Sequence, residues 1–190
     1  IVLTWGNASA ADHENGVFAI KPSGVPYDEL TPEAMVIVSI RDGSVVDGAY
    51  RPSSDTPTHQ RLYTAFSSVG GIVHTHSEAA TSFAQASLPI ECMGTTHADH
   101  FAGAVPVVRH PTREEMSAGY ESATGDIIVA HFRENGLDPI AIPAALLPHH
   151  GPFAWGTSAA KAVENAVALE SVARMLRATR ALAPEAPVIP

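Results

Sequence analysis

The sequence predicts an α/β fold in which helices flank a central mixed β-sheet. Three observations carry that reading. Short β-branched or apolar runs alternate along the chain with segments of helical periodicity. A hairpin turn joins two of the runs early in the sequence. Hydrophobic residues make up 45% of the 190 residues and charged residues only 16%, which is enough apolar material for one sizeable core. No internal repeat, low-complexity stretch or long linker divides the chain, so a single domain over 1–190 is expected.

Taken in order, Ile1-Val2-Leu3 is strand-like, and 17–20 and 35–40 are short apolar runs of strand type. Arg41-Asp42-Gly43-Ser44 then turns the chain into Val45-Val46, making those two runs adjacent strands. Residues 57–66 place Leu62, Ala65 and Phe66 on one helical face, with Asp55 or Thr56 available as N-cap ahead of Pro57. A strand is expected at 71–76, an Ala-rich helix at 77–87 and a strand at 105–108. One or two helices should fill 112–135, ended by Asn135-Gly136. Strands at 144–147 and 152–155 precede the longest helix, from Ser158 to about Arg180, whose Ala162, Val163, Ala166, Leu169, Val172, Ala173 and Leu176 recur at three and four. Pro184, Pro187 and Pro190 make the tail an extended exit segment.

Composition narrows the function classes. With 11 Lys and Arg against 20 Asp and Glu, the formal charge is -9, which argues against binding nucleic acid through the overall field. An anionic substrate would need a local site. The single cysteine, Cys92, excludes an internal disulfide framework and fits a reducing, cytoplasmic setting. No apolar run approaches the roughly 20 residues that span a bilayer, so no membrane partner is expected.

The chemistry concentrates in histidine. Of ten histidines, His74 and His76 end an apolar run in strand context, where a spacing of two puts both imidazoles on one face. Two neutral nitrogens there can reach one ion at about 2.0–2.2 Å, and a third ligand must come from elsewhere in the chain. His149-His150-Gly151 closes another apolar segment and offers candidates; Asp55 offers a carboxylate. Spacing alone leaves two satisfied strand histidines equally open, and Asp55 taken by itself reads as a helix cap rather than a ligand.

Read together, Thr4-Trp5-Gly6-Asn7-Ala8-Ser9, Lys21-Pro22-Ser23-Gly24, Pro52-Ser53-Ser54-Asp55-Thr56-Pro57-Thr58-His59, Gly70-Gly71-Ile72-Val73-His74-Thr75-His76, Gly94-Thr95-Thr96-His97-Ala98-Asp99 and His150-Gly151-Pro152-Phe153-Ala154-Trp155-Gly156 resemble the class II aldolase and epimerase family, in the family's order and over essentially the whole chain. The resemblance implies a class II aldolase-like single domain whose sheet is largely antiparallel. It implies a divalent metal, zinc with Mn2+ or Co2+ as alternatives, held by Asp55, His74, His76 and His150. It further implies a homotetramer with active sites between subunits. In the family's aldolases the position of Asp55 is usually an acid/base glutamate, so the aspartate favours the epimerase branch.

The substrate that the resemblance implies is a phosphorylated ketopentose, L-ribulose 5-phosphate, converted to D-xylulose 5-phosphate. Its phosphate would lie on Gly6, Asn7, Ser23, Gly24, Ser53 and Ser54. Short Gly, Ser and Asn residues offer an anion N–H and hydroxyl donors without bulk, and Lys21, one of only two lysines, stands among them. Inversion at a carbon not adjacent to the carbonyl calls for cleavage and rejoining of the C3–C4 bond. The C4 oxygen then lies on opposite faces before and after rotation, so two proton-handling groups are needed. By resemblance Asp99 is one. The other in the family is a tyrosine of a C-terminal tail contributed by a neighbouring subunit. Tyr27, Tyr50, Tyr63 and Tyr120 stand in other motifs, so that tail and an N-terminal helix are expected to be missing from this chain.

His149 is expected to point away from the metal, because neighbouring strand residues face opposite sides. His59, His97 and the remaining histidines are expected to be structural or at the surface. A sugar-phosphate aldolase of the same family, releasing the aldehyde, and a non-catalytic adducin-like scaffold are the competing functions.

Overall fold

A computed structural model describes residues 4–189; the strand-like run 1–3 lies outside them. The chain runs β1 (Asn7–Asp12), β2 (Val17–Ile20), two single-turn 3-10 segments, β3 (Val36–Ser39), β4 (Val45–Asp47), α1 (Thr56–Ala65), β5 (Gly71–His74), α2 (Glu78–Ala86), α3 (Thr95–Ala98), α4 (Arg113–Glu134), β6 (Ala144–Leu147), β7 (Gly151–Gly156) and α5 (Ala159–Leu182).

Seven strands make one sheet in the order β4-β3-β2-β1-β5-β7-β6. Every ladder in it is antiparallel, which bears out the largely antiparallel sheet expected; the one parallel pairing among the described residues is the isolated Val107–Leu146 bridge outside the ladders. The strand expected at 105–108 does not form. Pro106 has no N–H to give a ladder, and the stretch makes only isolated bridges, Ile90 with Val105 and, in parallel, Val107 with Leu146.

The central strand β1 was not expected. Its Asn-Ala-Ser-Ala-Ala-Asp sequence has no β-branched residue, and it is extended because it is paired on both sides, with β2 and with β5. The helices follow the sequence more closely. Thr112 and Glu115 form a reciprocal capping box at the start of α4, and the Ser158 side chain accepts from Lys161 N–H at the start of α5. The N-terminus of α2 is closed from a distance: Glu170 on α5 accepts from Ala79 and Ala80 N–H at 3.0 Å.

Strand alternation divides the core in two. Ala145, Leu147, Phe153 and Trp155 face the side covered by α1 and α4, with Leu62, Phe66, Ile128 and Phe132. Ala144, Leu146 and Ala154 face the side covered by α2 and α5, with Ala80, Ala84, Leu169 and Ala173. Covered on both faces, β5, β6 and β7 are buried throughout, which is why they read as continuous apolar runs. His74 is carried to the end of the most central of these strands.

Candidate metal centre and active site

His74 is the last residue of β5, opposite Asn7 on β1 and Phe153 on β7. The strand stops there, two residues short of the end expected at His76, and strand alternation alone does not place the His76 ring. The two imidazoles converge nonetheless, with Nε2 atoms 3.0 Å apart. His150 arrives from the turn between β6 and β7. One nitrogen from each of His74, His76 and His150 lies within 4.8 Å of the others.

The chemistry of this set fits a divalent ion. His74 Nδ1 donates to Pro152 O at 2.9 Å, and its ring stacks on Phe153 at 4.3 Å, which fixes the tautomer that leaves Nε2 with its lone pair. Burial pushes the His74 pKa down to about 3, and the neighbouring His150 and His76 push the same way. Burial also lowers His150. Neutral imidazoles are the form in which histidine ligates a metal.

Asp55 stands at the N-cap position of α1, yet its side chain makes no capping bond. Its Oδ2 instead accepts from Asn7 Nδ2 at 2.6 Å and lies 3.9 Å from His74 Nε2, bordering the histidine cluster. Asn7 Oδ1 is buried without a hydrogen-bond partner among the described residues. Gly6 makes this approach possible: its φ is +75°, and a Cβ there would come within 2.4 Å of His74 O.

These groups open into a cavity of about 430 Å³ that also takes in Lys21, Ser23, Gly24, Ser53 and Ser54, a size suited to a small phosphorylated metabolite. The two loops are tied together by the Pro22–Pro52 bridge, Ser23 N–H to Arg51 O at 2.9 Å and Ser53 N–H to Lys21 O at 3.1 Å. Those N–H groups are therefore spent within the protein. The Ser23 and Ser54 hydroxyls and the Gly24 and Ser54 N–H groups make no hydrogen bond to described residues. Lys21 is buried, its Nζ donating to Val25 O at 2.8 Å and Pro22 O at 3.1 Å, which leaves one N–H of the ammonium for a ligand. Burial lowers its pKa.

Asp99 is not brought to this cavity. It lines a separate one with His100, Gly156, Thr157, Lys161 and Asn165. His149 is outside the histidine cluster as expected, but for another reason: it lies in a turn, with φ +59°, and its ring packs on His110 at 4.7 Å. His59 and His97 are structural as expected, bonded to Ser9 Oγ and Gly103 O at 2.7 Å each. Among the residues lining the main cavity to which the sequence assigns no role are Trp5, Tyr120 and Glu121. Trp5 lies 6.1 Å from the His76 ring, and Tyr120 Oη is 2.9 Å from His150 Nδ1. Their placement depends on tertiary structure, and neither Trp-Gly nor Gly-Tyr-Glu marks it locally.

Comparison with known proteins agrees with this geometry. The chain is 48% identical to L-ribulose-5-phosphate 4-epimerase UlaF of Salmonella paratyphi B over 97% of its own length and 79% of the relative's. Its fold is similar to that of L-fuculose 1-phosphate aldolase, with a TM-score of 0.80 at 24% identity over 98% of this chain and 81% of that one. The L-fuculose-1-phosphate aldolase of Thermus thermophilus superposes with a TM-score of 0.70 at 26% identity, covering 96% and 87%. The family profile that matches, over residues 1–176, is the Class II Aldolase and Adducin N-terminal domain, and the chain belongs to that family.

Proposed function

We propose that this protein is a metal-dependent epimerase interconverting L-ribulose 5-phosphate and D-xylulose 5-phosphate by breaking and remaking the C3–C4 bond. The observation that carries the reading is the convergence of three histidines, bordered by an oriented aspartate, in the cavity that holds the Ser/Gly loops. The 48% identity to a named 4-epimerase supports the substrate.

His74, His76 and His150 with Asp55 would hold the ion, zinc by preference and Mn2+ or Co2+ as alternatives. Bound there, it would supply Lewis-acid stabilisation of the negative charge that develops on the substrate's C2 oxygen, worth several kcal/mol. The chain's own groups do the rest. Asn7 holds the Asp55 carboxylate toward the histidines. Ser23, Gly24, Ser53, Ser54 and the remaining Lys21 N–H grip the phosphate.

In the forward direction the C4 hydroxyl loses its proton to a base and the C3–C4 bond breaks. Its electron pair passes into the C2 carbonyl, giving a dihydroxyacetone enediolate and glycolaldehyde phosphate. The aldehyde, retained by its phosphate, turns over and is attacked on its other face, and the new C4 oxygen takes up a proton. Retention keeps recombination intramolecular. Asp99 serves one of the two proton transfers. Because it lines a different cavity of its own chain, it acts at a neighbouring subunit's metal site in a homotetramer, and a cytoplasmic location completes the reading.

Product analysis tests it. Metal-loaded protein given L-ribulose 5-phosphate should form D-xylulose 5-phosphate without free glycolaldehyde phosphate, and chelation should abolish turnover. Accumulating aldehyde would indicate an aldolase; no turnover would return the scaffold reading.

A further inference from the structure

The helix drawn as Arg113–Glu134 is interrupted. Gly119 has φ +151° and ψ +100°, a backbone conformation close to glycine-only, so two helices meet there at a kink. A Cβ at this position would meet only the Ser122 side chain, at 3.9 Å, so the dihedral and not crowding demands glycine. The second helix starts with Tyr120 and Glu121 and is fastened at once: Thr58 Oγ1 on α1 donates to Glu121 O at 2.7 Å, and Thr124 Oγ1 to Tyr120 O at 2.9 Å.

The break delivers Tyr120 to His150. Its Oη lies 2.9 Å from His150 Nδ1, and the two rings stack at 5.8 Å with 27° between their planes. His150 has need of such a partner. His74 is fixed by strand pairing on both sides, by Phe153 and by Pro152 O. His150 sits in a turn after a residue with φ +59°, and its side chain makes no other hydrogen bond among the described residues.

We infer that Tyr120 is a positioning residue for His150: its hydroxyl accepts the Nδ1 proton and so aims the Nε2 lone pair at the ion, as Pro152 O does for His74. Gly119 is the hinge that sets this hydroxyl in place. A hydrogen bond to the far nitrogen of a ligating histidine fixes tautomer and ring orientation, and its loss commonly weakens a site by about 10–100-fold. The inference rests on the metal reading above.

The test uses the whole chain, metal-free and then loaded with Co2+ or Zn2+. Tyr120→Phe removes one oxygen and keeps the stacked ring. It should bind Zn2+ roughly 10–100-fold more weakly in competition with a chromophoric chelator. Its Co2+ visible spectrum should shift, while the thermal midpoint of the metal-free protein stays within a few degrees. Gly119→Ala should weaken binding in the parent and add little in the Tyr120→Phe background, because both changes remove one hydrogen bond. Affinity within twofold of the parent, with an unchanged Co2+ spectrum, would overturn the inference and leave the metal reading standing. A parent protein that takes up no Co2+ would overturn both.

Discussion

Asn7 and Asp55, 48 residues apart in sequence, are joined by a 2.6 Å hydrogen bond from Nδ2 to Oδ2 where β1 begins beside His74. This one contact decides between two roles for Asp55. A carboxylate just ahead of a helix with proline in its first turn is well placed to cap, yet this side chain caps nothing and is turned toward the histidines. Asn7→Ala should therefore weaken Zn2+ binding by about 10–100-fold, as loss of an outer partner of a ligand does. It should cost only about 1–3 kcal/mol of stability for the lost hydrogen bond. Equilibrium dialysis and urea melts read the two effects separately.

Much of the site was legible because its residues are local and typed. His-x-His after an apolar run, His150-Gly151 after another, and the Ser/Gly loops all stand in sequence next to the strands that carry them. What was hidden depends on pairing or on assembly. β1 has no strand-forming side chains and is extended only through β2 and β5. His76 converges on His74 from beyond the strand, where periodicity has no hold. Tyr120 reaches the cavity through a backbone break at Gly119; the sequence left one or two helices open over 112–135 but did not place the break. Asp99 stands apart from the histidines within one chain, a separation no motif discloses.

The buried His59 makes stability depend on pH. Burial pushes its pKa from 6.5 down to about 3, against the pull of Asp55 and with a further push from His74. Between those values the unfolded chain binds the proton and the folded one does not, so stability rises with pH through this window and levels off above 6.5. From this group alone, stability at pH 7 should exceed that at pH 5 by about 2 kcal/mol. In His59→Gln, which retains a group able to bond Ser9, that increment should vanish. Urea midpoints at the two pH values measure the difference.

Asp99 gives a prediction about assembly. If it serves a neighbour's metal site, Asp99→Asn and His74→Asn proteins, each inactive alone, should recover activity when unfolded together and refolded as a mixture. Random assembly of equal amounts restores about a quarter of the sites, those that draw an intact half from each type. Activity no greater than the sum of the separate variants would place Asp99 with its own chain's histidines or outside the reaction.

The central claim is that C4 is inverted by cleavage of a carbon–carbon bond in a metal-dependent site. Incubating the zinc-loaded protein with L-ribulose 5-phosphate in D2O, and reading the product by NMR, tests it directly. The account predicts D-xylulose 5-phosphate with no deuterium at C4, and no product after chelation, because the C4–H bond is never broken. Deuterium at C4, or turnover undiminished by removal of the metal, would contradict it.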